Sequence, residues 1–250
     1  MNAHILSLLI FSFSALFLGC QNMPSSQELS TAEGSFDYGK QLVKSSRFEE
    51  ALNYYNNVKQ KHPYSPLAVA AELEIANVYF AQREFIASEN SYKNFYDLHP
   101  EHPKSDYVIF QIANSIHNQV PKVISRDVTA ADRAILYYNR LIKYFPDSEH
   151  VEESEKLRLE NKNKLSAKQK YIADYYLKSK NYLSALGRYE KYSKIATSDE
   201  QIKEAFLGSV TAATALKDSD IAGLYLDKLK KQFPESKETK LAIIISKGLL

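Results

Sequence analysis

A short pattern of small and apolar positions recurs five times along the chain. Each copy has a small residue, an apolar residue four positions later and another three after that. The copies are Ala51/Tyr55/Val58, Ser88/Tyr92/Phe95, Ala134/Tyr138/Leu141, Ala185/Tyr189/Tyr192 and Ala222/Leu226/Leu229. This spacing places each set on one face of a helix. Twelve residues after the small residue stands Pro63, Pro100, Pro146 or Pro234, with Thr197 in the fourth copy. A proline there cannot continue the helix and marks its end. Upstream, 73–80 and 110–117 share Ile-Ala-Asn at the same offset, which predicts a second helix in each repeat. Two stretches break the rhythm. The segment between Asn118 and Ala131, interrupted by Pro121, predicts a long loop, with Asp127 or Thr129 capping the helix that follows. Residues 149–179 hold no Gly or Pro and predict one long helix. The apolar residues of 241–250 predict a helix that caps the last repeat.

Only 7 glycines and 8 prolines punctuate the 250 residues, too few turns for a sandwich or barrel. The fold class expected is all-α. The small crossing residue, paired helices and closing proline resemble the tetratricopeptide repeat, which implies a solenoid of about five helix pairs. One such repeat cannot bury its own apolar face, and stacking supplies the continuous core. The alternative is an irregular helical bundle. A net charge of +2 argues against a nucleic-acid binder.

Ile5 to Leu18 is an apolar run too short to span a bilayer, followed by Gly19 and the only cysteine, Cys20. The run and cysteine resemble the lipobox of bacterial lipoproteins. That resemblance implies a signal peptide over 1–19, S-diacylglycerol and N-acyl (palmitate-type) chains on Cys20, and anchorage in a membrane. Gln21 in place of Asp implies the periplasmic face of the outer membrane. A plain secretory peptide is the alternative. Residues 20–32 read as a lipidated flexible tether, 33–148 as repeats 1–3, and 149–250 as the long connecting helix, repeats 4–5 and a capping helix.

The chemistry of an enzyme is missing from the motifs. There is no His-Glu-x-x-His, no Gly-x-Ser-x-Gly and no Gly-x-x-x-x-Gly-Lys. The chain reads as non-catalytic, with no catalytic residue, no metal and no cofactor beyond the lipid. His99 and His102 fall in an inter-repeat turn that Pro100 and Pro103 mark. The lysines of 156–170 alternate with Glu and Asn and read as a solvated helix face, or as a docking surface for an acidic partner.

The lipobox, the five repeats and the widened third gap together resemble the BamD (YfiO/ComL) family of outer-membrane assembly lipoproteins. The more specific stretches are 126–134 leading to Tyr144-Phe145-Pro146-Asp147-Ser148, and 172–176 leading to Ala185 and Arg188. Thr197 and the Lys-rich 156–170 stretch depart from the commoner members. The resemblance implies a subunit of the β-barrel assembly (BAM) machine that docks on the POTRA domains of a BamA-like barrel protein and receives unfolded outer-membrane proteins. Docking would use repeats 4–5, with Arg188 as the contact residue; a surface ion pair with Glu190 or Asp174 is the alternative. A different reading makes the chain a repeat scaffold that recruits envelope enzymes such as peptidoglycan hydrolases.

In repeats of this kind the first helices line a groove. Phe36, Leu73 and Phe110 fall in register there, as do Lys40, Asn77 and Asn114, each one turn after its apolar partner. Apolar pockets beside hydrogen-bonding groups suit an extended peptide, with Lys40 facing its terminal carboxylate and Phe80 and His117 at the border. The alternative is that the aromatics pack between repeats and the asparagines are surface.

Overall fold

A computed structural model describes residues 24–250. Residues 1–19, expected to be a signal peptide, and Cys20 lie outside the described residues. Among the described residues there are eleven α-helices and no strands. They are α1 (Ala32–Lys44), α2 (Phe48–Lys61), α3 (Pro66–Ala81), α4 (Phe85–Leu98), α5 (Ser105–His117), α6 (Ala130–Tyr144), α7 (Val151–Lys178), α8 (Tyr182–Ile195), α9 (Asp199–Leu216), α10 (Ser219–Gln232) and α11 (Lys237–Ser246). The fold is a tetratricopeptide-type series of five helix pairs and a terminal helix. The chain forms two compact parts, one up to Val78 and one from Tyr79.

The recurrent sets fall on α2, α4, α6, α8 and α10, and all fifteen of their residues are buried. The small residue is fully enclosed in every copy. In the second copy Ser88 replaces alanine and its hydroxyl meets that of Ser115 at 2.9 Å, so the buried polar group is satisfied. Two glycines make room for the tyrosines of the pattern. A Cβ on Gly39 would stand 2.8 Å from the Tyr55 ring, and one on Gly208 would stand 2.4 Å from that of Tyr189.

Two kinds of turn repeat. Between repeats, His62, His99, Phe145 and Phe233 share φ near −130° and ψ of 51–59° before their prolines. A proline disfavours helical geometry in its predecessor, so the helix stops there. Within repeats 1, 2, 4 and 5, the residues Ser46, Arg83, Lys180 and Lys217 adopt left-handed φ of 58–63°. The next residue donates its N–H back across the turn, as in Glu84 to Tyr79 O at 2.9 Å and Asn181 to Tyr176 O at 2.9 Å.

Residues 28–31 have a fixed place. Glu28–Ser30 form a 3-10 turn, Thr31 caps α1 by accepting from Gly34 N, and Ser35 Oγ donates to Leu29 O at 2.6 Å. The second half of the stretch read as tether is therefore joined to the folded body by backbone carbonyls, which sequence polarity does not reveal. The His62 imidazole Nε2 lies 3.0 Å from Ser30 O in the same part.

Candidate functional site

Arg188 is half-buried on α8, and its Nη1 donates to Gln169 Oε1 on α7 at 3.2 Å. Both alternative acids are already engaged. Asp174 accepts from Tyr189 Oη at 2.6 Å and from Lys170 Nζ at 2.9 Å. Glu190 pairs with Lys194 at 2.7 Å, and that hydrogen bond holds its carboxyl below the ordinary value. Among the described residues Arg188 has no carboxylate partner. Gln169 also lines a cleft of about 640 Å³, with Leu159, Leu165 and Ile195 as its apolar wall and Asp132 at its edge. Desolvation raises the Asp132 carboxyl. An unneutralised guanidinium beside a cleft with one apolar wall suits a partner that brings a carboxylate next to an apolar side chain.

The residues of the peptide ladder divide between the two parts. In the first, the Phe36 ring packs on Tyr55 at 5.5 Å and is 8 % exposed. Lys40 lies over that ring at 5.1 Å and pairs with Asp37 at 2.9 Å, with half of its side chain exposed. Leu73 is buried, and Asn77 Nδ2 donates to Glu74 at 3.1 Å. In the second part, Phe80 packs edge-on against Phe85 at 5.5 Å. Phe110 is buried and stacks flat on His150, 4.5 Å away with 3° between planes. Asn114 Oδ1 accepts from Tyr138 Oη at 2.8 Å, and His117 Nδ1 lies 2.8 Å from Asn161 Nδ2. Phe36, Leu73 and Phe110 thus present little surface in this conformation. Of the ladder's hydrogen-bonding rungs, Lys40 is the most exposed.

The middle of α7, read from sequence as a solvated face or a docking surface, holds groups whose partners lie far away in the chain. Lys168 Nζ donates to the carbonyls of Ile124, Ser125 and Arg126 at 2.9–3.0 Å, and Lys164 Nζ to that of Lys122 at 3.0 Å. These lysines hold the 118–129 loop rather than standing free in water. Within that loop Asp127 accepts from Thr129 N and Oγ1 at 2.9 and 3.0 Å, which lowers the Asp127 carboxyl. Asn163 accepts from Thr197 Oγ1, and Ser166 Oγ donates to Gln201 at 2.8 Å. Thr197 therefore holds by hydrogen bonds the turn that proline closes elsewhere.

A second node gathers at Glu89 on α4, whose side chain is 5 % exposed. It accepts from Lys93 at 2.5 Å, from Gln119 at 2.7 Å and from Arg133 at 2.7 Å. Burial alone would raise this carboxyl, but the hydrogen bonds of Lys93 and Gln119 and the charges of Lys93 and Arg133 hold it below the ordinary value. His99 and His102 pack their rings on Phe95 at 5.0 and 5.1 Å, and burial lowers His102. Among the described residues there is no group of three or more metal-ligating side chains and no helix long and apolar enough to cross a membrane.

Comparison with known proteins adds a family. The model of YfiO, an outer membrane lipoprotein, matches residues 30–220. The chain is similar to the outer membrane protein assembly factor BamD of Caulobacter vibrioides, 23 % identical over 156 residues, a match that spans 62 % of this chain and 50 % of that protein. It is 22 % identical over 203 residues to the protein of that name in Neisseria gonorrhoeae, covering 78 % of this chain and 76 % of the relative. The protein of that name in Rickettsia prowazekii is 23 % identical over 221 residues, covering 88 % and 87 %.

Proposed function

Because the chain belongs to the YfiO outer membrane lipoprotein family, we propose that it is a non-catalytic subunit of the β-barrel assembly machine, anchored through lipid on Cys20 at the periplasmic face of the outer membrane. The observation that carries this reading is the family match over 30–220, which takes in both compact parts, together with relatives named as assembly factors. Within it, the cleft beside Arg188 docks a POTRA domain of a BamA-like protein. The guanidinium, bonded to Gln169 but to no carboxylate among the described residues, pairs with a carboxylate there, and Leu159, Leu165 and Ile195 take an apolar side chain. Unfolded outer-membrane proteins are received on α1, where the half-exposed Lys40 exchanges its pair with Asp37 for a terminal carboxylate.

Co-purification after mild detergent extraction tests the docking. Arg188→Glu is expected to melt as the wild type does and to lose the barrel subunit. Retention of the barrel subunit by that variant refutes the assignment, and recovery of a peptidoglycan hydrolase with the wild type instead supports the scaffold reading. Client reception is tested by fluorescence anisotropy with free-acid and amidated peptides. Amidation is expected to weaken binding to the wild type and to leave Lys40→Ala unaffected; an equal loss on both proteins removes Lys40 from the reading.

A further inference from the structure

A second cleft, of about 720 Å³, opens between α4 and α6, and its lining contains two cations and no carboxylate. Tyr96 on α4 forms one wall. Leu136, Arg140, Lys143 and Tyr144 on α6 form the other, with Phe145 at the end. We propose that this cleft docks an acidic amphipathic helix of a partner protein, its carboxylates on Arg140 and Lys143 and its apolar side chains against Leu136 and Tyr144.

Charge supplies the first argument. Arg133, on the same helix, is neutralised by Glu89, and Arg158 has Glu155 at 4.0 Å. Among the described residues neither Arg140 nor Lys143 has a carboxylate within ion-pair distance. Instead both lie over aromatic rings, Arg140 over Tyr96 at 4.7 Å and Lys143 over Tyr144 at 5.1 Å. Arg140 Nη2 also donates to Tyr96 Oη at 3.2 Å. Stacking and that one bond orient the guanidinium and leave its remaining donors for a ligand.

Spacing supplies the second. Arg140 and Lys143 are three residues apart on α6, hence one turn apart on the same face. Carboxylates three or four residues apart on a facing helix present the same separation of about 5–6 Å. Leu136 and Tyr144 are 65 % and 63 % exposed and stand one turn to either side of Arg140. This apolar–cationic–apolar order reads an acidic helix with flanking apolar residues. A concave site suits a peptide better than a lipid surface, which asks for protruding side chains.

The experiment uses the full-length protein in detergent and three fluorescent peptides of about fourteen residues, long enough for several helical turns. All three share one leucine stripe and carry Glu, Gln or Lys beside it. The Glu peptide is expected to bind about tenfold more tightly than the Gln peptide, with affinity that falls as salt rises. Arg140→Ala/Lys143→Ala should abolish that preference, and Arg140→Glu/Lys143→Glu should transfer it to the Lys peptide, both with unchanged thermal melting. Equal binding of the Glu and Gln peptides, no binding by any peptide, or an unaltered preference in the variants overturns the proposal. Phosphatidylglycerol vesicles are the parallel probe: if the double variants lose vesicle binding while peptide preference persists, the cleft serves a lipid surface and the proposal fails.

Discussion

The turns within repeats 2 and 3 do the same job by opposite means. In repeat 2 the chain reverses between α3 and α4 through Arg83, in a left-handed conformation, and the backbone bond from Glu84 to Tyr79. Its backbone bonds lie within the turn itself, and Gln119 adds one side-chain bond to Phe85 O at 3.3 Å. In repeat 3 the reversal takes the whole 118–129 loop, and much of its fixing comes from side chains of other elements. Gln119 is bound to Glu89 at the loop's start, Arg133 meets the same carboxylate just beyond its end, and Lys164 and Lys168 hold its carbonyls from α7. A backbone-closed turn is a local property of sequence. A side-chain-closed loop inherits the stability of the helices that hold it, and its order is coupled to theirs.

Three changes separate the two modes. The largest effect is expected from Glu89→Ala, which removes the buried carboxylate that Lys93, Gln119 and Arg133 share. The cost is about 2–3 kcal/mol in a urea titration, at the low end for a broken buried pair because the partners are partly exposed. The sign with pH is fixed by the depressed carboxyl. The stability Glu89 contributes is complete at neutral pH, above its unfolded value, and is lost as pH falls through its lowered folded value. Wild type and Glu89→Gln should therefore converge in acid and diverge at neutral pH.

Lys168→Met comes next. It removes the bonds to three carbonyls at a half-exposed site, a loss of about 1 kcal/mol. Amide hydrogen exchange should quicken in 121–128 and stay unchanged in 82–86. Equal protection of both segments would mean that the loop holds itself.

The smallest effect belongs to Arg83→Gly. It relieves the left-handed backbone cost while adding unfolded-state freedom, for a net gain of roughly 0.5 kcal/mol. Thermal melting should rise slightly, with no change of exchange in 118–129.

The regular part of the fold was legible because it repeats. Tyr55, Tyr92, Tyr138 and Tyr189 are buried at the positions their spacing assigns, and the long helix found at Val151–Lys178 was expected over 149–179. The loop between Asn118 and Ala131 was legible from Pro121 and the lost periodicity. What holds that loop was not. Lys168 and Ile124 are 44 residues apart, as are Asn161 and His117, and no periodicity links a lysine to a carbonyl at that distance. The ladder shows the same limit. Register alone aligns Asn114 with Asn77, but it does not reveal that Tyr138 donates to one and that the other lies beside Glu74. Arg188 emerged from the family resemblance, and its lack of an acidic partner is visible only once Asp174 and Glu190 are seen to be engaged elsewhere.

The tyrosines carry an optical consequence. With 18 tyrosines and no tryptophan, the ultraviolet emission of this chain is tyrosine emission throughout. Tyr189 and Tyr192 each donate a phenolic proton to a carboxylate, Asp174 at 2.6 Å and Glu204 at 2.8 Å. Excitation makes a phenol far more acidic, so a carboxylate at that distance takes the proton and darkens the ring. The last two repeats therefore contain their own quenched pair, which brightens when α8 leaves α7 and α9, a label-free signal for that half of the molecule.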